Sequence, residues 1–308
     1  MNNHMIELLQ KKNIFEGRLS ELVYGTPEIR ESGKKKYIYV HYRLSGRQAS
    51  NFVGEYSKEV LDTIIKNNVE ARAIKKKLKE IVHELNLMGY TERELDEKTK
   101  RNIDFAKRNL TLTIHSQAIL EGVATTFAST EDVIEGAKVS GLSQKDIAKI
   151  INMKHAWEFI LDSDVITSKT DLGLLMQINK LIEEGFYFNA GKIRDVPVKI
   201  GGTSWAPETP VESILEEDLE KIINSKMPKI DRAINLMLYI QRSQIFLDGN
   251  KRTAVIFANH YLIANGLGLI YVPEDLTEEY KTLLVEYYET GKKVNIATFL
   301  KEKCLLKI

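Results

Sequence analysis

Two apolar stretches, residues 229–242 and 251–265, are joined by the polar run Gln244-Ile245-Phe246-Leu247-Asp248-Gly249-Asn250, and this junction limits the chain more than any other feature. Ile230, Ala233, Ile234, Met237 and Leu238 in the first stretch, and Val255, Ile256, Phe257, Tyr261 and Leu262 in the second, cover most of a helix's circumference. Both helices are expected to be central and buried. An unpaired polar group between them would cost about 1 to 3 kcal/mol, so the junction must be hydrogen-bonded internally or filled by a ligand. Gly249 and Asn250 open the second helix, where free backbone N–H groups and the positive end of the helix dipole make an anion site. Lys251 and Arg252 add charge-assisted donors there. Two cations in a first turn oppose the helix's own dipole, which favours a bound anion. A plain interhelical turn on Asp248-Gly249-Asn250 is the alternative.

A second patterned segment lies upstream: Gly191-Lys192-Ile193-Arg194, then Val198-Lys199-Ile200-Gly201-Gly202, then Trp205-Ala206-Pro207. Val196, Val198 and Ile200 alternate with Pro197 and Lys199, as in a half-buried strand, and Gly201-Gly202 permits a tight reversal. An ordinary surface hairpin would read the same way by itself.

Together the two segments resemble the Fic/Doc (Fido) family. Its signature loop is His-x-Phe-x-Asp/Glu-Gly-Asn-Lys/Gly-Arg, and the seven positions from Phe246 to Arg252 fit it. The resemblance covers residues 110–300. It implies a mainly α protein, a helical Fido domain with a β-hairpin flap, that binds a nucleotide, usually ATP, and moves AMP or another phosphate-containing group onto a protein hydroxyl. Carried over, Asp248 would hold Mg²⁺, Gly249, Asn250 and Lys251 would cradle the phosphates, Arg252 would clamp them, and Phe246 would anchor the loop. Val198, Lys199, Ile200, Gly201 and Gly202 would form the flap, which holds a protein target by adding a strand to it. The chemistry suits these types, since a hard cation takes carboxylate and phosphate oxygens and a transferring phosphoryl group is stabilised by positioned positive charge.

The sequence departs from the signature pattern at two positions, Gln244 and Val255. Gln244 stands where the family has the histidine that accepts the target's proton, and a carboxamide cannot act as a general base. Its loss typically forfeits about 10² to 10⁴ in rate. None of the six histidines (His4, His41, His83, His115, His155, His260) lies in the loop; His260, two turns into the next helix, is the nearest in sequence. Val255 occupies the position of a second arginine found in many members. Gln117-Ala118-Ile119-Leu120-Glu121-Gly122 is similar to the family's inhibitory motif at its Glu-Gly end, and Glu121, lacking that second arginine, would pair with Arg252 or Lys251. A solvated glutamate beside a helix C-cap is the other reading of Glu121.

At 308 residues the chain can hold a large core and more than one domain. A formal charge of +1 gives no whole-protein field toward nucleic acid. The lone cysteine, Cys304, excludes an internal disulfide framework. Without a long apolar run or a signal-peptide pattern, no membrane partner and a cytoplasmic location are expected; homo-oligomerisation stays open.

Charge is concentrated in residues 30–79, where 13 Lys or Arg face 5 Asp or Glu, including Lys34-Lys35-Lys36 and Lys75-Lys76-Lys77. Residues 36–43 are β-branched and aromatic, Ser45-Gly46-Arg47 suits a turn into a second strand over 48–55, and an amphipathic helix follows from about Lys58 to Met88. Tyrosines among basic residues are compatible with nucleic-acid contact, or with lysines that simply face water. The expected layout is a small mixed α/β region over 1–90 and a helical Fido domain over 91–308. Helices are expected near 91–119, 143–162, 170–184, 211–225, 229–242, 251–265, 275–290 and 295–305. Ser143 is expected to cap the second of these. Leu142-Ser143-Gln144 onward resembles the start of a helix-turn-helix, but the apolar pattern continues without a second turn.

The combined expectation is a nucleotide-binding Fido protein related to protein adenylyltransferases, with a degenerate active site and impaired catalysis. The alternative is a non-catalytic Fido module acting as a binding or regulatory protein, with nucleic-acid contact through its N-terminal region.

Overall fold

Period-3.6 apolar patterning governs most of the chain, and the molecule is mainly α accordingly. The computed structural model describes residues 3–33, 35–44, 47–90 and 95–308. By their contacts they divide into two units, Glu7–Thr91 and Glu92–Ile308 with Met1–Ile6.

The first part of the chain runs α1 (Asn3–Glu21), β1 (Thr26–Ser32), β2 (Lys35–Leu44), β3 (Arg47–Glu55) and α2 (Lys58–Leu87). The strands form an antiparallel sheet in the order β1-β2-β3, with Ile29 opposite Ile38 and Tyr39 opposite Phe52. Alternation puts Ile38 and Val40 on one face, where they bury against Ile64 of α2 with Val53, Val60 and Leu61 around them. Further along α2, Ala71 and Ile74 pack on Leu22, flanked by Phe15, Leu19 and Tyr24. The expected hairpin therefore forms; Ser45 and Gly46 of its turn, and Lys34, lie outside the described residues. Neither α1 nor β1 was expected, and β1 carries a single large apolar residue, Ile29, beside a proline.

Much of the basic excess is engaged within this unit. Lys75 lies 4.4 Å from the ring centroid of Tyr24, and Lys77 lies 5.1 Å from that of Phe15. Arg30, Lys35 and Lys36 pair with Glu28, Glu55 and Glu31 at 2.9, 3.0 and 2.8 Å.

The second unit holds α3 (Glu97–Arg108), α4 (Leu110–Leu120), α5 (Phe127–Glu135), α6 (Gln144–Ile160), α7 (Ser163–Ile166), α8 (Leu172–Ile182), α9 (Glu212–Ile223), α10 (Lys229–Ser243), α11 (Asn250–Ala264), α12 (Thr277–Thr290) and α13 (Val294–Lys303). A two-residue ribbon pairs β4 (Leu269–Ile270) with β5 (Leu305–Leu306). The helix expected over 91–119 is two helices. Asn109 leaves the helical region at φ −104°, ψ 14°, and its amide donates to Phe105 O at 2.8 Å, closing α3. Ser143 caps α6 through Asp146 N at 3.1 Å, and α6 then runs unbroken to Ile160, so no helix-turn-helix forms.

Helices α10 and α11 lie side by side at the centre, with α8 and α6 layered beyond α11. Trp157, Phe159, Phe246 and Phe257 are fully buried there. Asn259, in this core, both accepts from Ile270 N and donates to Ile270 O at 2.8 Å. His260 is fully buried between Thr170 Oγ1 at 3.1 Å and Val165 O at 3.0 Å. Burial pushes its pKa down to about 4. It is a core histidine with both nitrogens engaged and does not replace the missing base.

Ile64 joins sheet to helix in the first unit. Ile64→Ala is expected to destabilise that unit by about 2 to 5 kcal/mol, read as a lower urea midpoint, whereas Phe52→Ala on the exposed face should change it by under about 1 kcal/mol.

Candidate functional site

The chain must reverse between two buried helices within a few residues, and the loop does so with two left-handed positions. Gln244 ends α10 at φ 45° and Gly249 precedes α11 at φ 76°. Glycine is required at 249 twice over, since a Cβ there would also lie 2.4 Å from Glu183 Oε1. Gln244, a non-glycine residue in that region, is held there by Arg194, whose Nε donates to Gln244 O at 2.5 Å while its backbone N–H donates to Ile245 O at 3.0 Å.

Asn250 organises the loop interior. Its Oδ1 accepts from Phe246 N at 2.9 Å, and its Nδ2 donates to Phe246 O at 2.8 Å and to Gln244 Oε1 at 3.2 Å. Gln244 in turn donates from Nε2 to Gln241 O at 2.6 Å. The side chain at the position of the family's base is thus folded back onto its own helix. Phe246 is buried, as the loop anchor requires.

From across the loop, Asn179 of α8 donates to Asp248 O at 3.0 Å and Thr253 Oγ1 at 3.1 Å and accepts from Gly191 N at 2.9 Å. One turn further on, Glu183 is buried and lies 2.9 Å from Arg252 Nη2. Neither Asn179 nor Glu183 belongs to a sequence motif of the loop or the flap. The signal that could have found them is a polar pair four residues apart at the end of a helix otherwise rich in leucine and isoleucine.

Arg252 is the centre of the site. Its side chain is 3% exposed, with Glu121 Oε2 3.6 Å from Nε and Asp248 Oδ1 3.6 Å from Nη2. Three carboxylates surround it, yet Nε and Nη1 have no hydrogen-bond partner, and the Glu183 contact is close without being aligned as a hydrogen bond. The N–H groups of Asn250, Lys251 and Arg252 have no intrahelical acceptor, because they begin α11. Lys251 pairs with Glu121 at 3.3 Å and is half-exposed. Glu121, at the end of α4, therefore meets the two cations that sequence proposed for it. Val255 is buried beside Gln117, Gln241 and Tyr280.

Asp248 is half-exposed, with Oδ1 accepting from Gly249 N at 2.7 Å and Oδ2 accepting from Tyr187 Oη at 3.2 Å. Among the described residues no group of three or more His, Cys, Asp or Glu side chains is placed to hold a metal.

The expected flap hairpin is corrected by the structure. Residues 195–211 turn at Gly201-Gly202 with Val198 and Ile200 half-buried and Lys199 exposed, but they carry no β-ladder. Pro197 and Pro207 remove ladder donors, and side chains take over the tethering. Arg194 Nη1 donates to Val196 O at 2.7 Å and Nη2 to Glu208 O at 2.6 Å, clasping both ends of the segment. At its tip, Glu289 of α12 accepts from Thr203 Oγ1 and from Ser204 N and Oγ, which holds its carboxyl below the usual range. Trp205 stacks 3.9 Å from the Arg242 guanidinium.

Residues 169–262 match the model of the Fic/DOC family. The chain carries a Fic/DOC domain. Solved structures of Fic-domain proteins have similar folds. Fic-1 of C. elegans (residues 134–508) is 20% identical with a TM-score of 0.53, covering 80% of this chain and 73% of that one. A Fic family protein from Desulfovibrio desulfuricans G20 is 18% identical, TM-score 0.52, over 68% and 73%. A Fic-domain-containing signaling protein from Bacteroides thetaiotaomicron VPI-5482 is 16% identical, TM-score 0.52, over 68% and 86%. At these identities the likeness is one of fold. No curated protein matches the chain. No described helix is long and apolar enough to cross a membrane.

Glu183, packed against the loop, gives the site a pH signature. Burial, with Asp248 and Glu121 adding and Arg252 opposing, pushes the Glu183 carboxyl up to about 7 from 4.5. Folding therefore favours its protonated form, and that contribution is complete below about pH 4.5 and lost as pH rises through 7. The loss is on the order of 3 kcal/mol. Glu183→Gln is expected to remove this slope between about pH 4 and 8, measured by urea midpoints. Separately, Arg194→Met should lower the thermal midpoint and increase hydrogen exchange around Gln244 and residues 196–208, because five carbonyl acceptors lose a buried cationic donor.

Proposed function

We propose that this Fic/DOC domain binds the phosphates of a nucleotide, ATP with Mg²⁺, at the start of α11, and that its transfer of AMP to a protein hydroxyl is impaired at Gln244. The observation that carries the reading is Arg252, a buried guanidinium with Nε and Nη1 unpartnered beside the open N–H groups of the helix. An anion there would satisfy donors that otherwise stay bare in the core. Asp248 suits Mg²⁺ because this ion commonly takes one or two carboxylates and completes its shell with phosphate oxygens and water. Mg²⁺ held there would neutralise phosphate charge.

AMP transfer would break the bond from the α-phosphorus to the pyrophosphate oxygen and form one to the target hydroxyl oxygen, whose proton must leave. Gln244 has no basic atom to take it, and its amide is already engaged with Gln241 and Asn250. The same engagement supports the second reading, a module that holds nucleotide or a target segment along residues 196–202 without turnover. Glu121, resting on Lys251 and Arg252, competes with phosphate for both cations.

With ATP labelled on the adenosine moiety and Mg²⁺, Gln244→His is expected to raise label transfer to protein by about 10² to 10⁴. Arg252→Gln should weaken ATP binding by about 30-fold or more in calorimetry. Unchanged ATP affinity in a folded Arg252→Gln protein would remove the phosphate reading. Label transfer by the natural sequence at the rate of its Gln244→His variant would remove the impaired-catalysis reading.

A further inference from the structure

Glu183 is expensive to keep where it is. It follows the last residue of α8, so its charge faces the negative end of that helix's dipole, which disfavours a carboxylate. It is 2% exposed, and Asp248 and Glu121 are close enough to add repulsion. Only Arg252 favours its charge among the largest contributors, Lys149 adding a lesser attraction. A core alanine or leucine at this point would avoid all of these costs.

We infer that Glu183 is a positioning residue that fixes the Arg252 guanidinium beneath the loop, leaving Nε and Nη1 directed to the ligand; this deepens the phosphate reading of the site and rests on it. Arg252 has three carboxylates within reach, and each would draw the guanidinium to a different place. Glu183 is the nearest, at 2.9 Å against 3.6 Å for the other two, and it approaches Nη2, the nitrogen that Asp248 also faces from further away. Its own position is fixed by backbone. Asn179, four residues earlier on α8, ties that helix to Asp248 O and Thr253 Oγ1, and the Glu183 carboxylate lies against Gly249, where a Cβ would come within 2.4 Å. The loop backbone, α8 and the first turn of α11 thus form one rigid frame with Glu183 as the strut that reaches the arginine. Without it, Arg252 has Glu121 and Asp248 as its remaining acid partners, and a guanidinium drawn onto either would turn its free N–H groups away from the helix start.

The test follows the Arg252 side chain directly, by ¹⁵N NMR of its guanidinium in the full chain, and inorganic pyrophosphate binding by calorimetry. In Glu183→Ala the guanidinium is expected to become mobile and pyrophosphate affinity to fall by about 30-fold. Glu183→Gln keeps the side-chain shape and a carbonyl oxygen for Nη2, so Arg252 is expected to stay fixed and affinity to remain within about threefold of the natural chain. That rescue separates positioning from charge alone. An immobile Arg252 in Glu183→Ala, or a mobile one in a folded Glu183→Gln, overturns the assignment. If Glu183→Ala does not fold, Glu183→Met, which fills the same space without an acceptor for Nη2, is read in its place: a mobile Arg252 supports the assignment and an immobile one overturns it. A natural chain that binds no pyrophosphate, while Arg252 is released only in Glu183→Ala, leaves the strut standing and removes the phosphate reading instead.

Discussion

Backbone polarity inside an apolar core is the constraint from which the rest of this domain follows. Helices α10 and α11 are buried on nearly all sides, so the chain that reverses between them brings its carbonyls and N–H groups into a region where water cannot serve them. Side chains serve them instead. Asn250 satisfies both polar groups of Phe246, Arg194 takes the carbonyl of Gln244, and Asn179 takes that of Asp248. The left-handed turns at Gln244 and Gly249 are tolerated because this network over-determines them.

The same network leaves the Nε and Nη1 donors of Arg252 unserved. Arg252 is brought into the core by the first turn of α11, and the loop has carboxylates on several sides of it but no aligned acceptor for Nε or Nη1. Asn102, Asn259 and His260 have their polar side-chain atoms paired, whereas Nε and Nη1 of this guanidinium have no aligned acceptor at the start of α11. Those unpaired donors are what the proposed phosphate site rests on. Gln244 belongs to the satisfied part: its amide stitches α10 to Asn250, a structural task that an amide with both a donor and an acceptor performs well.

The two units show different degrees of legibility. Long amphipathic or fully apolar helices such as α2, α10 and α11 declared themselves because their periodicity persists over many turns. The break at Asn109 did not, since an asparagine between two good helical patterns differs from an interior asparagine only in where its side chain bonds. The strand pattern at Val196, Val198 and Ile200 described the burial of its residues but not their pairing. Whether an alternating segment joins a ladder depends on a partner edge, and here Arg194 and Glu289 hold the segment in its place.

Sequence by itself determined the mainly helical class, the polar junction between two buried helices and the identity of the loop residues from Phe246 to Arg252, because local periodicity and a contiguous motif need no distant information. Tertiary structure alone decided that Asn179 and Glu183 reach that loop, that Glu121 meets Lys251 and Arg252, and that His260 stays away. Those contacts join residues some 70 to 130 positions apart, such as Glu183 with Arg252 and Glu121 with Lys251. Their geometry is set by how helices pack, which no single stretch of chain encodes.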